Sequence, residues 1–151
     1  MMKLSEFLHP ERIVIGLEAA DKWDAITQLV RLLGGSPAVT DAEALLKEMT
    51  RREKTMTTGI GRGVAIPHAS CDGVSEITVA AATTKEPLDF QSLDFEPVRI
   101  IFALACPGNR GKAYMELLSQ IARMFKDPGF SERLAQVKTP DEFISAITQR
   151  E

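Results

Sequence analysis

Histidine, cysteine, tryptophan and tyrosine are all scarce in this chain: two, two, one and one among 151 residues. Each scarcity excludes a class of chemistry. Two cysteines, Cys71 and Cys106, are too few for a disulfide framework. A zinc centre takes three or four protein ligands. His68 and Cys71 have only His9, Cys106 and carboxylates without a ligand motif to join them, so no metal and no cofactor are expected. A Cys–His dyad lacks a third residue to orient it. No block of lysine and arginine stands out and the net charge is −3, so nucleic acid is not an expected partner. No apolar run approaches the roughly 20 residues of a membrane span, so no direct membrane insertion is expected. Met1-Met2-Lys3-Leu4-Ser5-Glu6 lacks the apolar segment of a secretion signal, and a cytoplasmic location is the expectation.

What is present reads as one globular domain over residues 1–151, with 44% hydrophobic and 26% charged residues. Ile13-Val14-Ile15 is a β-branched run and predicts a strand. Asp21 predicts a helix cap, followed by Trp23, Ile26, Leu29, Val30 and Leu33 at helical spacing and a stop at Gly34-Gly35. Thr40 and Glu43 have capping-box spacing, with Leu45, Leu46 and Met49 continuing that helix into the charged run Arg51-Arg52-Glu53-Lys54. A glycine-spaced loop then leads to a short strand over 64–66. A further strand is predicted over 77–82, and a central one, apolar on both faces, over 98–105.

After the break at Cys106-Pro107-Gly108-Asn109, Met115, Leu118, Ile121, Ala122 and Phe125 mark a helical face. Asp127-Pro128 and Thr139-Pro140 each place a capping residue before a first-turn proline and predict two short helices. Phe130, Leu134 and Val137 face inward on one, and Phe143, Ile144 and Ile147 on the other. Strands alternating with helices favour an α/β layered domain, and the short connections favour a mixed sheet over a parallel one.

The segment Thr57-Thr58-Gly59-Ile60-Gly61-Arg62-Gly63-Val64-Ala65-Ile66-Pro67-His68-Ala69-Ser70 concentrates the candidate chemistry. Pro67 fixes its own φ and pushes Ile66 to extended geometry, so His68 is carried on a stiff lead. Ala69 and Ser70 leave room for a bulky group. Imidazole titrates near neutrality and acts as a nucleophile when one ring nitrogen is neutral and the other is held by an acceptor. Phosphoryl transfer fits such a place, because it needs positioning and stabilisation of oxygen charge. Backbone N–H groups over 58–61 and the Arg52 guanidinium are the candidate donors to those oxygens. The glycines precede the strand, which excludes a dinucleotide fingerprint, and no Gly-Lys-Ser/Thr follows, which excludes a P-loop. The rest of the charged run 51–54 reads as a mostly solvated helix end, whose cations the helix dipole favours. His9, before Pro10, reads as a turn residue.

The stretch from Arg52-Glu53-Lys54 through Thr58-Gly59-Ile60-Gly61 to Val64-Ala65-Ile66-Pro67-His68 resembles the active-site signature of enzyme IIA domains of the bacterial phosphoenolpyruvate-dependent phosphotransferase system (PTS). The branch is the mannitol, fructose and nitrogen-regulatory one. The resemblance runs from Leu4-Ser5-Glu6-Phe7-Leu8 to the last helix. It implies a three-layer α/β/α sandwich on a central mixed β-sheet. It implies that His68 accepts a phosphoryl group from the phosphocarrier HPr, with Arg52 near the phosphorylation site; Thr58, from the loop's donors, and Tyr114 are the further candidates to stabilise the phosphate. Many members carry a second active-centre histidine; in the window Lys112-Ala113-Tyr114-Met115-Glu116-Leu117-Leu118 the matching place holds Tyr114. A phenol, ionising near pH 10, donates to a phosphoryl oxygen while staying neutral. The resemblance is greatest to stand-alone nitrogen-regulatory members, and the downstream partner is then a regulatory target. Two alternatives stand beside it: a sugar-permease subunit handing phosphate to a IIB component, and a regulatory binding module that does not pass phosphate on.

Overall fold

The computed structural model describes residues 2–127 and 129–151. Its elements are β1 (Ile13–Leu17), α1 (Lys22–Leu33), α2 (Ala42–Thr55), β2 (Gly59–Gly61), β3 (Val64–Ala65), β4 (His68–Ser70), β5 (Thr78–Leu88), β6 (Val98–Cys106), α3 (Gly111–Met124), α4 (Phe130–Leu134) and α5 (Pro140–Arg150). Leu4–Phe7 and Pro10–Arg12 form short 3-10 turns ahead of β1.

The six strands make one mixed sheet in the order β1-β5-β6-β3-β2, with β4 also alongside β6. β1 runs parallel to β5, β5 antiparallel to β6, and β3 and β4 both parallel to β6. The strands β3 and β4 are one interrupted strand. Val64 pairs with Ile100 and His68 with Leu104, so the offset of 36 residues is the same before and after Ile66-Pro67. Proline has no N–H to give the ladder, but its carbonyl keeps the register by accepting from Leu104 N–H at 3.0 Å. His68 therefore opens a strand rather than leaving one, and the strand expected over 64–66 continues past it.

The apolar run over 98–105 is the centre of the sheet, and alternation sorts its side chains by size. Ile100, Phe102 and Leu104 enter one core with Leu117, Ile121, Phe125, Phe130, Phe143 and Ile147 of α3–α5. Ile101, Ala103 and Ala105 enter the other, with Ile26, Leu29, Leu33, Leu45 and Met49 of α1 and α2. Helices thus cover both faces and the architecture is the expected α/β/α sandwich.

Asp21 caps α1, accepting from Asp24 N–H at 2.8 Å, and Thr139 caps α5, accepting from Glu142 N–H at 3.1 Å. Three local expectations change. The cap of α2 is Asp41, which accepts from Ala44 N–H at 3.0 Å; Thr40 instead donates its hydroxyl to the Gly73 carbonyl at 3.2 Å. The inward face of α3 is Leu117, Gln120, Ile121 and Met124, while Met115 and Ala122 point outward. Gln120 enters because its amide is fully used: Oε1 accepts from Leu4 N–H and Nε2 donates to the Met2 carbonyl, which fastens the N-terminal segment to α3. The helix α4 begins at Phe130 after Gly129, with Asp127 accepting from Gly129 N–H at 3.0 Å. The proline expected in its first turn, Pro128, lies outside the described residues.

Candidate functional site

His68 is half-buried at the start of β4. Its Nδ1 lies 2.7 Å from the Ile66 carbonyl oxygen. A carbonyl only accepts, so Nδ1 carries the proton and Nε2 holds the free lone pair. Burial pushes the His68 pKa below its ordinary 6.5; the bond to Ile66 opposes that shift, the Arg52 guanidinium adds to it, and the Glu53 carboxylate opposes it. The ring is therefore neutral at pH 7 and has a defined nucleophilic nitrogen.

Tyr114, in the first turn of α3, meets the imidazole edge to face, with ring centroids 5.2 Å apart and planes at 67°. Such a T-shaped contact is a favoured aromatic arrangement. It shields one side of the ring, so α3 contributes directly to the burial that lowers the pKa. Arg52, in the last turn of α2, donates from Nη1 to the Met56 carbonyl at 2.9 Å. That bond caps the helix end and holds the guanidinium near His68, while the neighbouring Arg51 points away to Glu48 at 2.9 Å.

The glycine-spaced segment is a hairpin rather than an open loop. The β2 and β3 strands pair antiparallel across a turn with positive φ at Gly61 (100°), Arg62 (58°) and Gly63 (81°). Two of its candidate donors, Thr58 and Gly59, are already committed. Thr58 N–H donates to Glu53 Oε2 at 2.8 Å, Thr58 Oγ1 to Glu53 Oε1 at 2.6 Å, and Gly59 N–H to Thr57 Oγ1 at 3.1 Å. Thr58 itself is buried.

Sequence reasoning missed Glu53 and Lys22. Glu53 is 3% exposed, not a solvated helix-end residue, and Lys22 Nζ lies 3.2 Å from its Oε2. A signal was present: a carboxylate in the last turn of a helix opposes the dipole there, so Glu53 needed a partner elsewhere. The cysteines are separate from this site. Cys106 is buried and its thiol lies 3.3 Å from the Pro107 carbonyl, and burial raises both thiol pKa values. His9 precedes the 3-10 turn at Pro10.

The α/β/α sandwich thus presents one tautomer-fixed imidazole, half-buried at the start of β4, with the Arg52 and Glu53 charges acting on it in opposite senses. The chain belongs to the family described as "Phosphoenolpyruvate-dependent sugar phosphotransferase system, EIIA 2", whose profile matches residues 6–150. It is 30% identical over 147 residues to a nitrogen regulatory protein of Pseudomonas aeruginosa, covering 97% of this chain and 96% of that one. It is 28% identical over 150 residues to the PTS fructose-specific EIIABC component of Bacillus subtilis; there it covers 99% of this chain but spans only 24% of the relative's length. Among solved structures, the nitrogen regulatory protein IIA-Ntr of Neisseria meningitidis superposes with a TM-score of 0.88 at 31% identity, over 95% of this chain and 98% of that one. The mannitol IIA of Escherichia coli superposes with a TM-score of 0.81 at 25% identity, over 93% and 98%. No helix among the described residues is long and apolar enough to cross a membrane.

Proposed function

We propose that this chain is a phosphohistidine carrier of the phosphoenolpyruvate-dependent PTS, taking a phosphoryl group from HPr onto Nε2 of His68 in a nitrogen-type regulatory role. The observation that carries the reading is the 2.7 Å contact of Nδ1 with Ile66, which leaves Nε2 as the nucleophile. In the transfer, the Nε2 lone pair forms the new N–P bond while the donor's bond to phosphorus breaks and its electron pair stays with the donor. Nδ1 keeps its proton, so the ring becomes cationic and its bond to the Ile66 carbonyl strengthens. Arg52 carries positive charge toward the phosphoryl oxygens, where such charge lowers the barrier. Tyr114 presents a neutral phenol in place of the second histidine of many relatives. Thr58 serves the phosphate through the geometry it imposes, since its N–H and hydroxyl are both held by Glu53. One domain over 1–151, acting in the cytoplasm, completes the proposal.

The test is incubation with phosphoenolpyruvate, enzyme I and HPr, followed by intact mass measurement. One acid-labile phosphoryl group is expected on the wild type and none on His68→Ala; a wild type that stays unmodified removes the reading. A second reading, a sugar-permease subunit passing phosphate to a IIB component, draws support from the similarity to fructose-specific relatives. Transfer from the phosphorylated chain to an added fructose-type or mannitol-type IIB separates the two. Slow or absent onward transfer is the outcome that a phenol at Tyr114 favours.

A further inference from the structure

A buried polar cluster is linked to the imidazole by hydrogen bonds that run through the backbone of Thr58 and Ile66. Its centre is Glu53, whose side chain is 1% exposed. Glu53 Oε2 accepts from Lys22 Nζ at 3.2 Å and from Thr58 N–H at 2.8 Å, and Oε1 accepts from the Thr58 hydroxyl at 2.6 Å. Lys22 Nζ also donates to the Phe90 carbonyl at 3.1 Å and lies 5.2 Å and 5.4 Å from the Trp23 and Phe90 ring centres. The series then passes through the hairpin. The Thr58 carbonyl accepts from Ile66 N–H at 3.0 Å, and the Ile66 carbonyl accepts from His68 Nδ1 at 2.7 Å.

A buried ion pair is a poor source of stability, because desolvation offsets its attraction. Here one partner of the carboxylate, Thr58, stands on the path to the imidazole, and the other, Lys22, anchors it from α1. We propose that Glu53 is a positioning residue for His68: through Thr58 and the Ile66 carbonyl it holds the ring as the Nδ1–H tautomer and offsets the charge the ring gains on phosphorylation. The arrangement does at two residues' remove what a carboxylate does directly when it orients a catalytic imidazole. The link is mechanical and electrostatic: the carboxylate fixes the backbone at Thr58, which fixes Ile66, and its charge acts on the ring through space. The groups facing His68 are Arg52 and Glu53 from α2 and Tyr114 from α3, and the two charges act on the ring in opposite senses. Lys22 pairs with the same carboxylate at 3.2 Å and fixes α1 to that point.

This inference rests on the carrier reading, but its first readout does not need phosphate. The variants are Glu53→Gln and, in case a stranded Lys22 prevents folding, the double change Lys22→Met with Glu53→Gln, which removes both charges. In the unphosphorylated protein, ring-nitrogen NMR should show His68 titrating at lower pH than in wild type, with the Nδ1–H tautomer losing its dominance. With phosphoenolpyruvate, enzyme I and saturating HPr, uptake should slow by about tenfold to a hundredfold, the scale on which metal-ligating imidazoles respond to loss of an orienting partner. The HPr concentration for half-maximal rate should hold steady. Thr58→Val, which removes the hydroxyl but keeps the backbone N–H on Glu53, should shift titration and rate in the same direction by a smaller factor. An unchanged His68 titration and tautomer in a folded variant overturns the proposal. A wild type that takes no phosphoryl group overturns the carrier reading alone, because the NMR comparison still decides on Glu53.

Discussion

The imidazole Nδ1 of His68 sits 2.7 Å from the carbonyl oxygen of Ile66, two residues earlier along the same interrupted strand. Proline between them makes this contact dependable. With φ of Pro67 fixed and Ile66 extended, the carbonyl is aimed before the side chain arrives. The ring nitrogen that faces outward is then chosen by the backbone.

The first prediction concerns pH. Burial lowers the His68 pKa below 6.5, and only the neutral ring can attack phosphorus. The rate of phosphoryl uptake, measured with enzyme I and HPr in excess, should stay level as pH falls through 6.5 and decline only at more acidic values. The same shift has a stability counterpart of defined sign. Below pH 6.5 the unfolded chain binds a proton that folded His68 still refuses, so folding stability falls as pH drops from 6.5 through the folded pKa. His68→Ala should flatten that part of the stability profile in denaturant titrations.

The second prediction separates the ring of Tyr114 from its hydroxyl. Tyr114→Ala removes the edge-to-face cover, so the His68 pKa should rise toward 6.5 in an NMR titration. Tyr114→Phe keeps the cover and should leave the titration in place while slowing phosphoryl transfer. Tyr114→His should speed both gain and loss of the phosphoryl group. Equal rates in wild type and both of these variants would remove the phenol from the reaction.

Arg52 is expected to give effects of opposite direction on acidity and on rate. Its guanidinium lowers the His68 pKa, so Arg52→Gln should raise it, which by itself leaves uptake at pH 8 unaffected. Uptake should nevertheless drop by about a hundredfold, the scale for losing one donor to developing oxygen charge. Arg52→Lys should recover part of the rate, because charge returns without the planar fork that also reaches the Met56 carbonyl.

Much of this was legible in the sequence. The apolar run over 98–105 announced the central strand, and Pro67-His68 marked the candidate site. The capping residues Asp21 and Thr139 were readable because their hydrogen bonds are local. Glu53 was not, because its burial depends on Lys22 and Phe90, which lie 31 and 37 positions away in the chain and meet it only after the layers pack. The α3 face was rotated for a similar reason: Gln120 turns inward to bind the backbone of Met2 and Leu4, a demand that hydrophobic spacing does not register. The Gly59-Ile60-Gly61 segment read as a loop because glycine weakens strand propensity; the pairing with β3 overrides it.

The large-residue face of the sheet should be the more sensitive half of the core. Phe102 is fully buried, with Phe125 and Phe143 ring centroids at 6.0 Å and 5.8 Å. Phe102→Ala should cost about 3–5 kcal/mol in urea unfolding followed by circular dichroism. Ala103, on the opposite face beside α1 and α2, has no cavity to open, but Ala103→Leu should cost about 1–3 kcal/mol by overpacking.

Gly59 joins stability to the site. A Cβ there would lie 2.3 Å from Ser92 Oγ and 3.0 Å from both Ser92 Cα and Cβ, so the 89–97 segment has to move to admit it. That segment is tied to the hairpin by Leu93 N–H to the Gly59 carbonyl at 3.0 Å and by Arg62 N–H to Asp94 Oδ2 at 3.0 Å. It also supplies the Phe90 carbonyl that holds Lys22 and the Thr57 hydroxyl. Gly59→Ala should therefore cost about 1–3 kcal/mol of stability and, in the molecules that remain folded, disturb β2 and the adjoining Thr58. Denaturant unfolding measures the first effect and phosphoryl uptake per folded molecule the second. A variant that loses stability but transfers phosphate at the wild-type rate would show that the 89–97 segment braces the hairpin without setting the position of His68.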